Sequence, residues 1–275
     1  MDTPRQRFAA LMRAPDDAIA PGKAALLIAA EAYPGLDIDR YLASLDALAE
    51  AVRPHLREAH SDADRVRALI RALAVEQRFA GNQADYYDVR NSFLNQVLER
   101  RTGIPITLAL VYIEVGRRLD LPVHGIGFPG HFLLKYSASK DIVFDPFFAQ
   151  VLTERDCAER LRAVMGESAA FDCSYLRAAT PREIVVRMLR NLKQIYLQQR
   201  QFEPALSCSA RILIASPDLP HELRDRGLLY HQLECYAAAR ADLERFLTLE
   251  PEDDSADVVR EKLIEIRRRG GALLH

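Results

Sequence analysis

Between Arg101 and Pro146 the hydrophobic period of the chain switches from that of a helix to that of strands, so any fold it adopts must pack one against the other. After Gly103 and Pro105, the residues Leu108, Val111, Tyr112 and Val115 recur at helical spacing and predict a helix with an apolar inward face. The segments that follow, VHGIGF, HFLLKY and DIVFDP, are short and rich in Val, Ile, Phe and Tyr. Pro, Gly, Ser and Lys separate them, as in strands joined by turns. His131 opens the second segment and Asp145 closes the third. If these two strands pair antiparallel, an imidazole and a carboxylate meet at one edge of the sheet.

Upstream, as far as Gly81, the chain reads as all helical. Tyr41, Leu45, Leu48 and Val52 share one face, and Ser61 is placed to cap a helix carrying Val66, Leu69, Ile70 and Leu73. The HSDAD run at 60–64 is read as that cap, because consecutive residues at a helix start cannot all face one ion. Asp85, Tyr86, Tyr87, Asp88 and Asn91 then form a polar, aromatic loop before a helix bearing Phe93, Leu94, Val97 and Leu98. Two readings stay open for this stretch. Either it walls a pocket, with Tyr86, Tyr87, Asn91, Asn95 and Arg101 as binding residues, or Asp88 or Asn91 merely caps the helix and the terminal arginines offset its dipole.

The last third carries a repeat. Tyr196 and Tyr230, Phe202 and Tyr236, Ala205 and Ala239, Leu213 and Leu247, and Pro217 and Pro251 are each offset by 34 residues, the tetratricopeptide period. Small Ala lets the helices of a unit approach, aromatics fill the gap, and Pro follows the second helix. TPRE at 180–183 is a helix start with Thr as cap and Glu three residues on. Before it, Thr153 is placed to cap a helix over ERDCAERLRAVM. A terminal helix, SADVVREKLIEIRRR, is expected to turn Val258, Leu263 and Ile266 inward. The expected domains are 1–176, a core domain, and 181–275, two repeats plus a capping helix.

With 275 residues, 49% of them hydrophobic, the chain can bury one large or two ordinary cores. A net charge of −2 argues against a general attraction to nucleic acid or anionic membrane. No apolar run reaches the roughly 18 residues a membrane helix needs, and MDTPRQRF lacks a secretory apolar region, so a cytoplasmic protein is expected. Cys157, Cys173, Cys208 and Cys235 show neither disulfide nor zinc spacing, and no metal or cofactor is expected. Cys208 and Cys235 are placed within repeat helices.

A helix N-terminus facing a strand-borne His and a later strand-borne Asp resembles the transglutaminase and papain-like cysteine-protease architecture. The runs NSFLNQVLERRTGIPITLALVYIEVGRRL, GFPGHFLLKY and VFDPFF resemble the SirB-type bacterial proteins, a transglutaminase-like core followed by tetratricopeptide repeats. The resemblance implies an α+β fold: a helical N-terminal part with a small antiparallel sheet, then an all-α repeat domain. It also implies that His131 is the counterpart of a general base and Asp145 of its orienting carboxylate. It supplies no nucleophile. Where such enzymes carry Cys at the start of the long helix, this chain has Ile104, Pro105, Ile106 and Thr107, and all four cysteines follow the His and the Asp. Thr107 is the candidate left, and a hydroxyl is a poorer nucleophile than a thiolate. The expectation is a noncatalytic scaffold or regulator that binds a peptide or protein through its cleft and repeats. The competing readings are an acyl-transfer or hydrolytic enzyme using His131 and Asp145 with a non-cysteine nucleophile, and an assembly factor working through the repeats alone.

Overall fold

The computed structural model describes residues 2–272. The fold is α+β, in two compact units, Met1–Met188 and Leu189–His275.

In the first unit, α1 (Pro4–Met12) opens on a Thr3–Gln6 capping box. The apolar α2 (Pro21–Ala32) is buried along most of its length. Asp37 caps α3 (Ile38–Arg57), which buries Tyr41, Leu45, Leu48 and Val52 as their spacing predicts. Ser61 accepts from the Asp64 N–H at the start of α4 (Asp62–Ile70), and a π-helical turn, Arg71–Glu76, follows. Next come β1 (Ala80–Gly81), α5 (Leu94–Arg100) and β2 (Thr102–Gly103), with β1 and β2 pairing in parallel. This short pair has no sequence signature, since two residues carry no period. The long helix of the central motif is α6 (Pro105–Arg118), buried from Pro105 to Gly116.

The strands β3 (Val123–Ile126), β4 (Leu133–Ser137), β5 (Asp141–Asp145) and β6 (Gln150–Leu152) form one antiparallel sheet in that order. Its register puts His124, Lys135, Val143 and Leu152 in one row across the strands, and Gly125, Leu134, Phe144 and Val151 in a row on the opposite face. Tyr112 of α6 packs on the second face, with its ring 5.8 Å from that of Phe144. The first face is covered by α7 (Glu154–Met165), whose Cys157 and Leu161 join Ile126, Leu133, Val143 and Leu152 in one apolar cluster. A helix thus lies on each face, and side chains at the strand ends reach the rim. One expectation needs correction: β4 begins at Leu133, so His131 sits in the turn before the strand, its N–H bonded to the Phe128 carbonyl at 3.1 Å. Pro129 and Gly130 turn the chain there, which the strand-like run HFLLKY concealed.

The helix α8 (Pro181–Gln198) begins on the predicted box, Glu183 N–H to Thr180 Oγ1 at 3.2 Å and Thr180 N–H to Glu183 Oε2 at 2.9 Å, and carries residues of both units. The second unit continues with α9 (Phe202–Ala215), α10 (Pro220–Gln232), α11 (Tyr236–Leu249) and α12 (Ala256–Ala272). Gly227 of α10 lets α11 come close: a Cβ there would lie 2.7 Å from Leu243. Leu223, Ala239, Leu243, Phe246, Val259, Leu263 and Ile266 form the core that results, each large side chain contributing about 1.5–3 kcal/mol. Two expectations are corrected here. Val258 points outward and Val259 takes the inward place, because the spacing from Val259 to Leu263 to Ile266 is helical. Cys235 lies in the turn between α10 and α11, where it is exposed, whereas Cys208 is buried within α9. Among the described residues no helix is long and apolar enough to cross a membrane.

Candidate functional site

His131 and Asp145 come together at the end of the sheet. Gly130, at φ +66°, makes the turn before His131, and a Cβ there would meet Val164 Cγ2 at 2.8 Å. Arg187 closes the turn by donating to the carbonyls of Phe128, at 2.8 Å, and His131, at 2.5 Å. Asp145 is wholly buried at the end of β5. Its Oδ1 accepts from the N–H of Phe147 at 2.8 Å, and its Oδ2 accepts from Arg160 Nη1 at 2.7 Å and lies 3.0 Å from His131 Nε2. The His131 contact is short, but its angle is poor for a hydrogen bond, and Nε2 is left without a well-aligned partner. Burial raises the Asp145 pKa, yet His131, the Phe147 N–H and the Arg160 guanidinium together outweigh it, so the carboxyl stays below its ordinary range. The chemistry on offer is an ionised carboxylate beside an imidazole, with an arginine sharing the same oxygen.

Aromatic rings surround this pair. Phe148 stacks on the His131 ring at 6.2 Å between centroids, with the Arg160 guanidinium over its ring at 5.5 Å. Phe147 meets the imidazole edge-on at 6.0 Å and continues to Tyr86 at 6.1 Å and Tyr87 beyond it. Gly81 makes room for Phe147, since a Cβ would come within 2.5 Å of the ring. Tyr86, Tyr87 and Phe148 remain 39%, 59% and 46% exposed. Burial is the main cause that raises the Tyr86 hydroxyl pKa, followed by its neighbour Tyr87.

The start of α6 is closed by contrast. Thr107 is fully buried, and its hydroxyl donates toward the Asn91 carbonyl at 2.7 Å and accepts from the Ile104 N–H at 3.1 Å, so it caps the helix. Asn91 is buried as well. Its amide nitrogen donates to the Asp85 carbonyl at 2.7 Å, while Oδ1 accepts from Asn82 at 3.2 Å and Arg100 at 3.4 Å, tying the loop 82–88 to α6. Asn95 is buried beside Tyr41. Arg101 ends α5 at φ 59° with its guanidinium 4.6 Å over the Phe79 ring, and burial lowers its pKa. Of the residues read from sequence, His131, Asp145, Tyr86 and Tyr87 gather at one place, whereas Thr107, Asn91 and Asn95 lie inside the structure. Phe147, Phe148, Arg160 and Arg187 were missed. The phenylalanines follow Asp145 directly in VFDPFF and were open to notice; Arg160, fifteen residues beyond Asp145, carried no local signal.

Comparisons with known proteins agree with this architecture. The model of the Transglutaminase-like superfamily matches residues 39–190, and a Tetratricopeptide repeat model matches residues 192–263. A UPF0162 protein of Xylella fastidiosa is 40% identical over 247 residues, 88% of each chain. A UPF0162 protein of Pseudomonas aeruginosa is 36% identical, covering 86% of this chain and 87% of its own. Protein SirB1 of Salmonella typhimurium is 27% identical, over 82% of this chain and 84% of its own. The chain belongs to the transglutaminase-like superfamily and carries tetratricopeptide repeats after that domain.

Proposed function

We propose that this member of the transglutaminase-like superfamily is a noncatalytic scaffold or regulator, which binds a peptide or protein segment over the His131–Asp145 pair and uses its helical repeats as a second contact surface. The observation that carries the reading is the aromatic wall of Tyr86, Tyr87 and Phe148, left in water around a buried ion cluster. Rings of this kind offer large contact area with little side-chain entropy to lose. The start of α6 supports the noncatalytic part, since its one hydroxyl is enclosed and committed to backbone groups.

A second reading, hydrolysis with water as nucleophile, is favoured by one observation, the ionised Asp145 beside the His131 ring. The test selects peptides from a random library on the full chain, then titrates them against wild type and the Tyr87→Ala/Phe148→Ala double variant. A loss of roughly tenfold or more in affinity is expected, the cost of truncating anchor rings. Equal affinity in both proteins would remove the reading. Steady cleavage of the selected peptides that disappears in His131→Ala would replace it with the hydrolytic one.

A further inference from the structure

On the sheet face that α7 covers, a cavity of ≈ 800 Å³ opens between the β4–β5 hairpin, the first turn of α7 and the short helical turn Cys173–Leu176. The size lies within the range of about 300–1,000 Å³ typical of small-ligand sites. It is separate from the residues around His131 described above.

Two features of the lining define what it would hold. The floor is apolar: Val143 and Leu152 come from the sheet row, Cys157 from α7 and Leu176 from the turn. The rim is cationic. Lys135, Lys140, Arg155 and Arg177 face Asp141 and Glu154, four positive groups against two negative. Lys135 is spent on Asp141 at 3.0 Å. Arg155 touches Glu159 at 2.8 Å in an exposed pair that water screens and that holds it weakly, whereas Arg177 is held by both Glu183 oxygens, at 2.8 and 3.1 Å. The N-terminal end of the α7 dipole adds positive potential at Thr153 and Glu154. Burial raises the pKa of the Cys157 thiol, as the dry floor requires.

From this lining we infer that the cavity binds a small amphiphilic anion, an aromatic or branched apolar body with one acidic group, the body on the Val143–Leu152–Leu176 floor and the acid toward Lys140 and Arg155. A neutral molecule of the same shape gains the floor and loses the rim. A purely hydrophilic anion gains the rim and loses the floor.

The test uses anilinonaphthalene sulfonate on the full chain, with phenylnaphthylamine as the neutral counterpart. Exposed Cys173 lines the cavity and reports on its occupancy, while Cys235, exposed in the second unit, is the internal control. The sulfonate is expected to bind one saturable site, about tenfold tighter than the amine, a difference an ion pair at a partly screened rim supplies. At saturation it slows iodoacetamide alkylation of Cys173 and leaves that of Cys235 unchanged. In Lys140→Glu/Arg155→Glu its affinity falls by roughly tenfold while that of the amine stays the same. Both replaced side chains are exposed, and Glu in the first turn of α7 favours the helix, so the variant folds. A Cys173 rate indifferent to saturating sulfonate, or a double variant that binds it as wild type does, overturns the inference.

Discussion

Asp145 in the first unit and Glu222 in the second are both carboxylates taken out of water and held by a cation. Glu222 receives Lys193 Nζ at 2.7 and 2.9 Å and the Ser209 hydroxyl, and the same ammonium reaches Asp225 at 2.9 Å. Three helices, α8, α9 and α10, thereby close on one cluster in which both carboxylate oxygens and the ammonium are matched. Asp145 has an arginine and a backbone N–H of the same quality, but its third neighbour, His131, is set at hydrogen-bond distance without hydrogen-bond direction. Exposed rings stand beside it. The Glu222 cluster spends its buried charge on holding helices together, whereas the Asp145 cluster leaves an imidazole underused at a surface.

Three measurements would break or sharpen that contrast. The largest effect is expected from Glu222→Ala, which leaves Lys193 buried with a half-exposed Asp225 and costs about 3 kcal/mol in chemical denaturation. A loss below about 1 kcal/mol, the level of a surface pair, would mean that the cluster does not hold the helices. Next, Thr107→Val should cost about 2 kcal/mol, because the buried Asn91 carbonyl loses its hydroxyl donor and the Ile104 N–H keeps only a long bond, 3.4 Å, to that same carbonyl. Thr107→Ser should keep most of that stability, as a cap does. Were Thr107 a nucleophile, the valine variant would instead lose turnover at unchanged stability.

The smallest of the three is Asp145→Asn, expected to cost about 1.5 kcal/mol at neutral pH as the charge-assisted bond from Arg160 weakens. The folded-state pKa of Asp145 is depressed. Its stabilisation is therefore complete above the unfolded value of about 3.9 and is lost as pH falls through the lower folded value. The gap in unfolding free energy between wild type and variant should begin to close below about pH 4 and vanish once pH is under the folded value. A gap that persists at lower pH would show that the asparagine acts through packing rather than charge.

Much of the fold was legible. Caps at Ser61, Thr153 and Thr180 can be read because a hydroxyl and the N–H it accepts from are three residues apart. The repeat can be read because its spacing records the length of one helical pair. The candidate site was legible only in part. His131 and Asp145 stood out through motif and strand pattern, and Tyr86 and Tyr87 through an aromatic loop. That Asn91 would turn inward to tie loop 82–88 to α6, and that the Thr107 hydroxyl would be used up there, depended on partners far along the chain.

The sequence by itself determined the long helix followed by three short strands, the antiparallel neighbours that bring His131 to Asp145, the period of the repeats, and the lack of a thiol at the start of α6. Each of these is written in spacings of a few residues, or in a simple recurrence. Only the tertiary structure decided that Arg160 shares the Asp145 oxygen with His131, that Phe148 stays in water, that β1 pairs with β2, and that a cavity with a basic rim opens beneath α7. These depend on distances between segments remote in sequence, which packing sets and no local pattern records.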